Sequence, residues 1–128
     1  MGQQQLLLII LGVIIVGIAI AVGLSLFSAQ SVQSNRDAII NDLNNLAAQA
    51  YQFRIRPQSM GGGQGDYTTF SIPSKMATNE NATYSIGTPG KDNIVFLAKS
   101  AQNGSNTITV TITSEGKLTT WTYAGDFL

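Results

Sequence analysis

Seven carboxylates, Asp37, Asp42, Asp66, Glu80, Asp92, Glu115 and Asp126, are the only side chains that could act as acids or bases near neutral pH, since the chain has no His and no Cys. None of them forms a recognisable pair or motif with a base, and a Ser-His-Asp relay is impossible without His. Asp92 and Glu115 stand in segments that read as turns, where a solvated acid is the ordinary occupant. No enzymatic activity is expected. Without thiolate or imidazole the commonest ligands of zinc, copper and haem are missing and no disulfide can form, so the expected list of metals and cofactors is empty. Asn79-Glu80-Asn81 is acidic but lacks the ligand spacing of a calcium loop.

Two other patterns carry possible chemistry. The run Met60-Gly61-Gly62-Gly63-Gln64-Gly65 is rich enough in glycine to cradle a phosphate, yet no Lys-Ser/Thr follows it and no strand-to-helix switch flanks it. It reads as the most flexible part of a connector, one packed over a helix through Tyr67, Phe70, Ile72 and Met76. Asn81-Ala82-Thr83 and Asn103-Gly104-Ser105 match the N-glycosylation acceptor, which makes Asn81 and Asn103 possible modification sites. Net charge is zero, charged residues make up 11% of the 128, and no block of like charge occurs. Nucleic acid, which needs a clustered basic footprint, is not an expected partner.

The elements that position these residues begin with the longest apolar stretch. No Asp, Glu, Lys or Arg precedes Arg36, and 16 of the 22 residues from Leu6 to Phe27 are Leu, Ile, Val or Phe. At roughly 0.3–0.6 kcal/mol per central residue, these favour membrane insertion by about 5–10 kcal/mol. As a helix the segment would span about 33 Å, enough for one crossing of a ~30 Å hydrocarbon core. A cleavable secretory signal is the competing reading, with Ala29-Gln30-Ser31 as its cleavage pattern; the apolar run is longer than a usual h-region and no basic residue precedes it. Gly12, Gly17 and Gly23 interrupt the run at spacings of five and six, so they are not a small-xxx-small motif, although each permits close backbone approach.

Beyond Phe27 the pattern changes to an apolar stripe. Val32, Arg36, Ile39, Leu43, Leu46, Ala50 and Phe53 recur at alternating steps of four and three, with Ile40 and Ala47 beside them, while Asn35, Asp37, Asn41, Asp42, Asn44, Asn45, Gln49 and Gln52 occupy the other faces. No proline occurs before Pro57, so one helix is expected from about Gln3 to Ile55, roughly 80 Å long. Strands are expected at Thr83–Ile86, Asn93–Lys99, Thr107–Thr113 and Lys117–Tyr123, joined by short turns and therefore antiparallel. In the third, Ile108, Val110 and Ile112 alternate with threonines, giving one apolar face. A sheet of three or four strands cannot bury such a face alone, so Ile39, Leu43, Leu46, Ala50 and Phe53 are expected to cover it. The class is α+β, organised as an apolar half-helix over 1–28, an amphipathic half-helix over 29–56 and a head over 57–128, which comprises a connector (57–82) and a β-meander (83–128).

That order of an apolar half-helix, an amphipathic half-helix, a variable loop and a small antiparallel sheet resembles the type IV pilins. The resemblance covers the whole chain in layout and about the first 30 residues in sequence character. It implies a structural subunit that sits in the inner membrane and then polymerises into an extracellular pilus-like filament with copies of itself, served by a pilus assembly machinery and a prepilin peptidase. The packing residues it implies are Leu6, Leu7, Leu8, Ile10, Leu11, Ile14, Ile15, Ile18, Val22, Leu26 and Phe27. One departure is plain: the family's Glu at mature position five is absent, the fifth residue being Gln5 counted from Met1 and Leu7 counted from a cut after Gly2. Gln3, Gln4 and Gln5 would supply uncharged polar contacts instead. The disulfide that closes many pilin heads cannot form here. Two alternatives share the same helix: a single-pass anchored domain acting as sensor or adhesin, and a pseudopilin of a secretion or DNA-uptake machine.

Overall fold

The computed structural model describes residues 2–128. Helix α1 runs without a break over Gly2–Ile55, one residue longer at its start than the sequence suggests. By internal contacts the chain forms two compact units, one ending at Gln33 and the other comprising Ser34–Leu128. The described residues of the first are helical throughout.

In the second unit, residues 34–55 of α1 lie against a four-stranded antiparallel sheet of order β1-β2-β3-β4, formed by Ala82–Pro89, Ile94–Ser100, Thr107–Ile112 and Leu118–Ala124. The architecture is therefore α+β, as the periodicities require. Ile39, Leu43, Leu46 and Ala50 on the helix, and Ile108, Val110 and Ile112 on the sheet, are all 0% exposed. Each Leu, Ile or Val among them contributes roughly 1.5–3 kcal/mol on burial. Phe96 and Tyr67 complete the largest members of this core. Phe53 departs from the expected set: it is only half-buried and packs its ring 5.4 Å from Phe70 of the connector, which in turn meets Phe96 at 6.0 Å. The last turn of the helix has run past the sheet's apolar centre, so an aromatic from the loop fills between them.

The β1 strand extends three residues beyond the expected Ile86, and its register shifts between Ile86 and Pro89. Proline is tolerated there because the strand is an edge. The alternation of β4 breaks at Thr119-Thr120, and the structure resolves the break with a bulge. Thr109 pairs Thr122 while Thr111 pairs Thr119, so β4 carries one extra residue, Thr120, at φ +54°. The bulge keeps Leu118, Trp121 and Tyr123 on the side that faces the core. A short helix, α2 (Ser74–Ala77), and 3-10 turns at Gln58–Met60 and Gly125–Phe127 were not expected from the sequence.

Candidate assembly surface

In the first unit every large apolar side chain between Leu6 and Phe27 is exposed, from 52% at Leu11 and Ile14 to 74% at Phe27. Gln3, Gln4 and Gln5 are exposed as well. The residues named above for packing thus share one uncharged helical segment and bury nothing within the chain. Gly12, Gly17 and Gly23 have no atom within 4 Å of where a Cβ would stand. The helix is long and apolar enough to cross a membrane. Met1, and with it the question of a cut at Met1-Gly2, lies outside the described residues.

The head, by contrast, joins several of its polar side chains to one another. Asp42 on α1 accepts three hydrogen bonds at one carboxylate oxygen, from Tyr84 Oη at 2.5 Å, Asn79 Nδ2 at 2.9 Å and Asn81 Nδ2 at 3.1 Å. Partial burial pushes its carboxyl up, but the three donors outweigh this and hold it below the ordinary 3.8. Burial and the same bond push the Tyr84 phenol above its ordinary 10.0. Two turns earlier, buried Asn35 donates to Asn81 O at 3.1 Å and accepts from Ser100 Oγ at 2.6 Å. Loop 79–81 is therefore pinned to the helix by two polar clusters, which fix the register of helix against sheet.

Arg54, in the last turn of α1, holds the other end. Its guanidinium donates to Ser114 O at 3.1 Å, pairs with Asp92 at 3.3 Å and lies 5.5 Å from the Tyr67 ring. Tyr67 donates from its hydroxyl to Thr113 O at 2.7 Å. Burial pushes the Tyr67 phenol up, against the opposing charge of Arg54. Two hairpin turns are thus tied to one helix end.

The glycine run has a structural task that its flexibility alone did not reveal. Gly63 N donates to Phe53 O at 2.8 Å, Gly65 N to Arg54 O at 2.5 Å and Gln64 N to Arg56 O at 3.0 Å. These are carbonyls that a helix end leaves without partners. The loop folds back to cap α1, and a Cβ at Gly62 would run into the Arg56 carbonyl. Its amides are occupied, which leaves no cradle for phosphate.

The two glycosylation triplets differ in accessibility. Asn81 is half-buried with its amide nitrogen engaged by Asp42, and Ala82 after it is 0% exposed. Asn103 is exposed in the β2–β3 turn, its side-chain oxygen accepting from Ser105 N at 3.0 Å. An open cavity of about 300 Å3 near the helix end is lined by Gln49, Gln52, Phe53, Arg56 and Phe70. No metal-binding group of three or more His, Cys, Asp or Glu occurs among the described residues. Sequence reasoning missed Asp42, Asn35 and Arg54 as organisers of the head; each is a polar residue on a mostly polar helix face, and no local signal separates it from its solvated neighbours. No protein-family model, curated protein or solved structure matches this chain.

Proposed function

We propose that this protein is the structural subunit of a type IV pilus-like filament, anchored in the inner membrane before assembly and displayed outside the cell afterwards. One observation carries the reading: sixteen large apolar side chains between Leu6 and Phe27 are all more than half exposed on one uncharged helical segment. So contiguous an apolar surface requires an apolar partner. Lipid supplies one and the same helix from other copies supplies another, so one set of residues serves both the anchored and the polymerised state.

The type IV pilin-like layout favours polymerisation over a permanent anchor. In a bundle, Leu11, Ile14, Ile15 and Ile18 would pack against neighbouring helices, with Gly12 and Gly17 admitting close approach. Gln3, Gln4 and Gln5 would hydrogen-bond across the bundle without a charge, where the family uses a Glu; an uncharged amide avoids the cost of burying an ion. The partners implied are further copies of the chain, the inner membrane and an assembly machinery with its peptidase. Electron microscopy of material sheared from cells, with mass spectrometry of the N-terminus, tests this. Uniform thin filaments containing the chain are expected. Protein confined to the membrane fraction would favour a single-pass anchored domain instead.

A further inference from the structure

The two outer strands of the sheet carry no charge of their own, and the β1 edge is bridged at Thr83 by Thr78. Neither β1 (ATYSIGTP) nor β4 (LTTWTYA) contains Asp, Glu, Lys or Arg. Free edges normally carry charge, because an unguarded edge pairs with other chains. Of the two, β4 is the more apolar. Trp121 and Tyr123 are half-buried on it, their rings nearly parallel with centroids 6.3 Å apart.

Charge stands beside each edge instead, with opposite sign. At the β4 edge the Arg36 guanidinium carbon lies 4.3 Å from the Tyr123 ring centroid, and its buried Nε has no hydrogen-bond partner. The ion pairs among the described residues are Arg54–Asp92 and Lys117–Glu115, and neither includes Arg36. At the β1 edge Glu80 is exposed and equally without an ion pair. Its neighbours Asn79 and Asn81 are both held by Asp42, so Glu80 stands on a fixed support. Tyr84 pairs with Ala98, Ala98 with Ile108 and Ile108 with Tyr123, which puts the two edges on one row of the sheet. Arg36 and Glu80 form no ion pair within one head. Copies repeated edge to edge would bring them together in a heterologous contact that stays open and propagates.

We propose that Arg36, Tyr123 and Trp121 of one copy receive the Glu80 loop of the next copy, so that the heads as well as the apolar helices bind one another. This rests on the filament reading. A second copy is the occupant because this chain itself supplies both halves of the ion pair.

The test uses the full-length chain and its Arg36→Glu, Glu80→Arg and doubly swapped variants, with assembly measured by sedimentation and electron microscopy. Juxtaposed like charges should lower the assembled fraction of each single variant at least about tenfold. The double swap, and an equal mixture of the two single variants, should restore it. In native filaments the emission of Trp121, the only tryptophan, should shift to shorter wavelength and resist acrylamide quenching; this measurement needs no variant. Native filaments in which Trp121 stays fully quenchable, or single variants that assemble like the native chain, overturn the contact and leave the helix bundle standing. A native chain that forms no filaments overturns both.

Discussion

Asp42 shows how a single residue fixes this head. Replacing it by Asn leaves Tyr84, Asn79 and Asn81 facing an amide in place of a carboxylate, and is expected to destabilise the head by about 1–3 kcal/mol in urea unfolding. The pH dependence has a definite sign. The Asp42 carboxyl is held below its ordinary 3.8, so its contribution is complete above that pH and is lost as pH falls through the lower folded value. Asp66, held low by Thr68, follows the same direction. Asp42→Asn should therefore flatten part of the acid limb and leave the remainder. Thr120 is the opposite case, a β-branched residue at φ +54°. Thr120→Gly should stabilise the head by about 1 kcal/mol, read as a rise in thermal midpoint, because glycine meets no Cβ penalty in the left-handed region. Neither role was legible beforehand: Asp42 matches Asp37 in type and setting, and a bulge requires knowledge of the partner strand's register.

At the level of elements, the helix and the strands were legible because each has a period that nothing interrupts. Ile39, Leu43, Leu46 and Ala50 announce one helical face, and Ile108, Val110 and Ile112 announce one sheet face; all seven are fully buried. The ends were less legible. Capping of α1 depends on the loop from Gly62 to Gly65 turning back on the helix, and glycine content signals freedom without saying which conformation uses it. Gly62→Ala should cost about 1–3 kcal/mol, since its Cβ would displace the Arg56 carbonyl from a capped end. Gly17→Ala offers a contrast within the same helix. With nothing within 4 Å in the isolated chain, the substitution should raise helix stability by up to ~1 kcal/mol in detergent, by circular dichroism. If neighbouring backbones pack at Gly17, the same variant should yield fewer filaments.

For the whole molecule, the division of labour between the two units is the informative feature. Ser34–Leu128 buries a core of apolar side chains and joins several polar ones to one another, while Leu6–Phe27 does neither. A chain built this way leaves one long apolar surface uncovered. The sequence conveys that much, because an uncharged apolar run followed by an amphipathic stripe has few other uses. It conveys less about the partner, since lipid and a bundle of like helices select the same residues. A charge placed mid-segment separates the two parts of the molecule. The most direct measurement compares the native chain with Ile15→Asp, scoring filaments on sheared material by electron microscopy and the fold of the head by circular dichroism. The expected result is filaments from the native chain alone, with an equally folded head in both, because an unpaired carboxylate cannot be buried in an apolar bundle. Normal filaments from Ile15→Asp would contradict the assignment of Leu6–Phe27 to the filament core.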